Sequence, residues 1–178
     1  VPKTFGLQDD KASLVFESPD TQIYAFSVSH APIHPAVGYK IKYKDRSIVI
    51  SGDTTPSAHV EREAKGVDVL MHEAMSMEMM TILQEGAQLA KRDKLEQLMK
   101  DITNYHTSPV EAAHIASKAE VGYLMLHHIA PPLPFPGLVD IFLKGTDKAF
   151  KGKIQVAKDG DVLSLPAGQK SIQPSSRF

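Results

Sequence analysis

The sequence predicts an α/β protein in which one mixed sheet is covered on one face by helices. Three observations carry that expectation. Strand-like runs crowd the first third of the chain, strands alternate with helical stretches from Gly52 onward, and turn-rich segments separate them. An antiparallel run followed by β-α-β-α-β-α builds one layer of sheet with helices on it. The other face of that sheet should then be apolar and in need of cover.

The elements follow in order. Residues 12–16 and 22–28 carry β-branched and aromatic side chains and read as strands. Residues 37–43 alternate apolar and polar, a strand with one wet face. Lys44-Asp45-Arg46 turns it into residues 47–51, a short apolar run expected to be buried on both faces, so the two form a hairpin. Thr55 as N-cap and Pro56 at the first helical position open a helix through Ala64, closed by Gly66. Residues 67–71 form another buried strand. A long helical stretch from about Glu73 to Asp101 puts Met75, Met79, Ile82 and Leu83 on one face, interrupted at Gly86 and at residues 91–94. Ser108-Pro109-Val110-Glu111 is a capping box that opens a helix to Lys118. Residues 122–126 form a strand ending on His127-His128, followed by a rigid proline loop over 131–136. A helix is expected over 138–150, and two weak edge strands over 154–165 around Lys158-Asp159-Gly160. The polar stretch 168–178 reads as a flexible tail.

Composition narrows the function. The 178 residues are 42% apolar, enough for a core, and 20 basic against 21 acidic side chains leave a net charge of −1. That balance excludes a polybasic nucleic-acid arm, although Lys91-Arg92-Lys94 and Lys144, Lys148, Lys151 and Lys153 are local basic clusters or solvated helix faces. With no cysteine, thiolate metal sites, disulfides and cysteine nucleophiles are excluded. No apolar run approaches the ~20 residues of a membrane span. The chain opens on Val1-Pro2-Lys3-Thr4, without an initiator Met or a leader pattern, so a segment is expected to have been lost upstream. The compartment stays open between cytoplasm and periplasm.

Eight histidines occur, and their placement says more than their number. His30 follows the strand 22–28, Asp53 the strand 47–51, His72 the strand 67–71 and His128 the strand 122–126. Ligands sit at such strand ends in α/β sheets. Imidazoles with a carboxylate and no thiolate are the donors of a hydrolytic zinc or manganese site. Taken singly, each histidine reads as a cap or surface residue, and Gly52-Asp53-Thr54-Thr55 as an Asx turn. The shared edge is what points to a metal. Met71, Met75, Met77, Met79 and Met80 read as packing residues, or as a flexible lip.

The stretches His30-Ala-Pro-Ile-His34, Ile48-Val-Ile-Ser-Gly-Asp53-Thr-Thr, Val69-Leu-Met-His72-Glu73-Ala, His106-Thr-Ser-Pro-Val-Glu-Ala-Ala and Leu124-Met-Leu-His-His128 resemble metallo-β-lactamase-fold hydrolases, in the ribonuclease Z branch. The resemblance implies half of an αββα four-layer sandwich, with residues 1–178 as the C-terminal half and the N-terminal half absent. It implies that His30 completes a first zinc site, Asp53 bridges two metals and His128 ligates the second. His106 would protonate the leaving oxygen, and Glu73 would orient it. His72 would support either the metal shell or the loop of His106, His127 would back the ligands or line the mouth, and Thr54 would lie behind the ligands, while His34, His59 and His114 match nothing and are expected on the surface. The family's leading His-X-His-X-Asp-His signature is absent, so closed shells for two zinc ions, or manganese in their place, need outside donors. Those donors would come from the missing half or a homodimer.

The implied activity is phosphodiester hydrolysis by a binuclear zinc endoribonuclease acting on precursor tRNA, with a bridging water as nucleophile and His106 as general acid. This chain alone is expected to be inactive. Alternatives are a lactonase, β-lactamase or arylsulfatase-like hydrolase on the same fold, or a non-catalytic interaction domain.

Overall fold

The structure is a computed structural model and describes residues 4–7 and 10–177; Val1, Pro2, Lys3, Gln8, Asp9 and Phe178 lie outside the described residues. Strands β1 (Ser13–Glu17), β2 (Thr21–Ser27), β3 (Val37–Tyr43) and β4 (Arg46–Ile50) form an antiparallel meander. Parallel strands β5 (Val69–Met75), β6 (Tyr123–Ala130) and β7 (Lys153–Val156) extend it to a seven-stranded sheet in sequence order. The crossovers are α1 (Ala58–Glu63) before β5, then α2 (Met77–Leu89), α3 (Asp93–Ile102) and α4 (Pro109–Lys118) before β6. Helices α5 (Pro136–Phe142) and α6 (Thr146–Ala149) precede β7. Strands β8 (Asp161–Ser164) and β9 (Gln173–Ser176) pair in a separate two-stranded sheet.

Alternation in the strands sorts the side chains onto two faces. Phe26, Val49, Leu70, Ala74, Leu124 and Leu126 face the helices and pack with Val60, Ala112, Ala113 and Ala116 into the main core. Three alanines keep much of the inner side of α4 small, with Ile115 as its large buried side chain. Each large apolar side chain buried here contributes about 1.5–3 kcal/mol. Gly38 is required where the Phe26 ring crosses β3, since a Cβ there would sit 2.5 Å from the ring.

The opposite face carries a smaller cluster, Val69, Tyr123 and Met125, covered by Leu163, Leu165 and Ile172 of the C-terminal segment. Arg46 clamps that segment, pairing with Asp68 at 3.2 Å and donating to the carbonyls of Gln169 and Ser171. Toward β1 the cover stops. Ile23, Tyr39, Ile41, Ile48 and Ile50 are only half-buried, and Phe16 and Tyr43 are 51% and 45% exposed. One face covered by helices and one apolar face left partly open is the arrangement expected from the sequence.

Several boundaries differ from expectation. The first helix is capped by Ser57, whose hydroxyl accepts from the amides of His59 and Val60. Thr55 is instead tied by its amide to the carbonyl of Ser29, so the helix starts later. Glu73-Ala74-Met75 is strand, not helix, because β5 continues alongside His127, Ile129 and Ala130 of β6. The long helix is two helices, broken between Leu89 and Asp93 as expected around residues 91–94, and it runs unbroken through Gly86. Met80 and Ala87 form its buried side, while Ile82 and Leu83 are exposed. Met75 is buried and Met71, Met77 and Met79 half-buried, which is packing. The helix expected over 138–150 is broken at Gly145, whose φ of 87° ends one turn and begins another. The two strands expected over 154–165 are present as β7 and β8, and they belong to different sheets. Within the stretch expected to be a loose tail, residues 173–176 pair with β8; that pairing is non-local and leaves no mark in a polar sequence. Among the described residues, no helix is long and apolar enough to cross a membrane.

Candidate metal centre

The strand ends and the α3–α4 loop bring the chemistry together. Ser51 and Gly52 carry the chain out of β4; Gly52 has φ 64°, and a Cβ there would meet the Val37 carbonyl at 2.3 Å. Only glycine therefore lets the chain turn to present Asp53. His30 stands after β2. His128 interrupts β6, where Glu73 opposes His127 and Ala74 opposes Ile129, so His128 is the extra residue of a β-bulge with φ 47°. A bulge re-aims a side chain out of the alternation. Here it puts His128 Nε2 3.5 Å from Asp53 Oδ2 at the exposed rim.

Glu73 is the junction of the site. It is fully buried, and its Oε1 accepts from His106 Nδ1 at 3.0 Å and from the amides of Thr54 and Thr107 at 3.1 Å each. Burial of a carboxylate is tolerated only with such partners. Thr107 Oγ1 donates to the Thr54 carbonyl at 2.6 Å, and the Ser29 amide donates to Thr54 Oγ1 at 3.2 Å. Ser51 Oγ accepts from the Glu73 amide at 3.0 Å. The loops bearing His30, Asp53 and His106 are thus stitched to one another through Thr54, Thr107 and Glu73.

Hydrogen bonds also assign the ring nitrogens. A carbonyl or carboxylate only accepts, so the ring atom facing it carries the hydrogen. His30 Nδ1 donates to the Tyr105 carbonyl at 2.9 Å and His106 Nδ1 to Glu73, which leaves Nε2 of each for a ligand or a proton. The rings of His30 and His106 lie 5.0 Å apart, and those of His106 and His128 5.9 Å apart. Tyr105 stacks edge-on against His30 with centroids 5.0 Å apart.

The residues present fit part of a metal site. An Nδ1-bonded imidazole is the form in which histidine ligates a metal through Nε2, and Asp53 and His128 add a carboxylate and a second imidazole. Yet among the described residues, no group of three or more His, Asp or Glu side chains is arranged to hold an ion.

Residues 5–129 match the beta-lactamase superfamily domain. The chain belongs to that superfamily. It is 28% identical over 158 residues to ribonuclease Z of Mycobacterium tuberculosis, an alignment that covers 89% of this chain and 54% of the other. Against ribonuclease Z of Mycobacterium sp. strain KMS it is 30% identical over 130 residues, covering 73% and 41%. Among solved structures, the metallo-beta-lactamase fold protein YhfI of Bacillus subtilis superposes with a TM-score of 0.60 at 17% identity, over 94% of this chain and 54% of that one. The short form of human tRNase Z gives 0.55 at 22% identity, over 87% and 46%. The seven-stranded sheet and its helices therefore have the metallo-β-lactamase fold, and this superfamily member spans about half the length of the relatives it matches.

The superfamily chain places the singled-out residues unevenly. His30, Asp53, His106, Glu73, Thr54 and His128 gather at one edge of the sheet. His72 does not: alternation puts it with Leu70 and Ala74 on the helix-covered face, fully buried, with Nδ1 donating to the Glu73 carbonyl at 2.7 Å. Burial pushes its pKa down. His127 lies across from Glu73, and burial, then His128, lowers its pKa as well. His34 and His114 are exposed, but His59 is half-buried and donates from Nδ1 to the Ser27 carbonyl at 2.9 Å. The sequence reading missed Tyr105 and gave no role to Thr107, quoted only within the stretch that starts at His106. Their only signal was adjacency to His106, because a backbone carbonyl and a buried hydroxyl act through contacts that no local pattern encodes.

Proposed function

We propose that this chain is the C-terminal half of a metal-dependent hydrolase of ribonuclease Z type. Two zinc ions, when bound, supply the positive charge that polarises a phosphodiester and activates water. His30, Asp53 and His128 are the ligands this chain contributes. His106, fixed through Nδ1 by Glu73, has Nε2 free to give a proton to the leaving oxygen. The convergence of these residues on one edge, with His106 held at 3.0 Å by a buried carboxylate, carries the reading. The ribonuclease Z names of the relatives support RNA, with the 3′ trailer junction of precursor tRNA as substrate. The partner is a second half with an apolar sheet face that carries His-X-His-X-Asp-His and covers Ile23, Tyr39, Ile41 and Ile48.

The experiment mixes this chain with the N-terminal half of a ribonuclease Z, then measures zinc and manganese by elemental analysis and cleavage of a precursor tRNA. Metal retention and trailer release only in the mixture are the expected result. Equal metal content without phosphodiester cleavage, but with turnover of a lactone, β-lactam or aryl sulfate, moves the activity to another ester.

A further inference from the structure

We propose that Glu73 is a positioning residue for the metal ligand His30 as well as for His106, acting through the backbone of the α3–α4 loop. The inference rests on the metal-site reading for its consequence, but not for its geometry. Glu73 Oε1 holds His106 Nδ1 and the Thr107 amide, which fixes the loop from both sides of one peptide. The carbonyl immediately before that pair, Tyr105 O, takes the Nδ1 hydrogen of His30 at 2.9 Å. Whatever sets the position of residues 106 and 107 therefore sets which nitrogen of His30 keeps its lone pair. The same Glu73 oxygen takes the Thr54 amide, Thr54 Oγ1 takes the amide of Ser29, next to His30, and Thr107 Oγ1 closes the ring onto the Thr54 carbonyl. His30 is thus held from two directions by groups that both end on one carboxylate oxygen. Partners of this kind fix ligand tautomer and orientation, and their loss weakens metal binding by about 10–100-fold. The carboxylate that orients the acid would then also ready the ligand, so neither is set without the other.

The test reads the ring directly, by long-range proton–nitrogen NMR of the histidine side chains in the metal-free chain. Wild type should show His30 as a single Nδ1-protonated tautomer. Glu73→Gln, whose neutral amide cannot hold three donors as well, should turn His30 into a mixture. Thr107→Val keeps the shape but loses the hydroxyl bond to Thr54 and should do the same, whereas Thr107→Ser should restore the single tautomer. His30 unchanged in both Glu73→Gln and Thr107→Val, with only His106 signals moving, overturns the proposal. In the assembled protein, zinc affinity measured by calorimetry should fall about 10–100-fold in Glu73→Gln and Thr107→Val but not in Thr107→Ser. A wild-type assembly that takes up no zinc, while the tautomer of His30 still follows Glu73, leaves the positioning intact and sinks the metal reading instead.

Discussion

The two sides of the candidate site are built to different standards. On one side, His30 and His106 each have a ring nitrogen committed to a partner, and the loops behind them meet on buried Glu73 and Thr54. On the other, Asp53 and His128 meet at 3.5 Å with side chains 40% and 55% exposed. One side is organised by this chain itself: Glu73 Oε1 takes three donors, while Oε2 of the same carboxylate is buried without a partner. The other presents its two groups from a glycine turn and a β-bulge at the exposed rim. The half-covered sheet face beyond β4 repeats the lesson in apolar residues: this chain finishes what its own hydrogen bonds can reach, and stops there.

The sharpest way to break that contrast is at Glu73. Replacing it by Ala strips three buried donors of their acceptor, at about 1–3 kcal/mol each, so Glu73→Ala should lower stability by about 3 kcal/mol or more in urea titrations. A loss under about 1 kcal/mol would show that the junction is not the rigid side. Next, His106→Ala should slow phosphodiester cleavage in the assembled enzyme by about 100-fold or more while metal content holds; loss of metal would reassign His106 to the ligand side.

Acidification probes the buried histidines behind the junction. Burial holds the pKa of His72 and His127 below the ordinary histidine value, so the fold favours their neutral forms. The unfolded chain takes up those protons first as pH falls below about 6.5. The stabilisation is complete above that pH and is lost on descending toward the folded values. The urea midpoint should therefore fall between about pH 7 and pH 5, and His72→Gln should flatten that slope. A midpoint independent of pH would deny the burial. The smallest expected change in stability is on the rim: His128→Ala should alter it by no more than about 0.5 kcal/mol, yet abolish metal retention and hydrolysis in the assembled enzyme. Unchanged metal occupancy would remove His128 from the ligand set.

The sequence by itself determined a good deal. Alternation over 37–43 and the apolar run after it placed β3 and β4, and Ser108 with Glu111 formed the capping box found on α4. Strand-end placement marked His30, Asp53, His72 and His128 as candidates, and the family resemblance added Glu73 and His106. Apart from that resemblance these are local signals: side-chain period, cap geometry, a polar residue at a strand end. Tertiary structure alone decided that β5 runs on through Glu73, because only pairing with β6 distinguishes strand from helix over Glu73-Ala74-Met75. It alone made His128 the bulged residue, moved the first cap from Thr55 to Ser57, and gave the polar C-terminal stretch a strand. It alone turned His72 away from the site and brought the carbonyl of Tyr105 to the ring of His30. Each of those outcomes depends on a hydrogen-bond partner outside its own segment, or on which face of a strand meets the helices, and neither is written in the spacing of neighbouring residues.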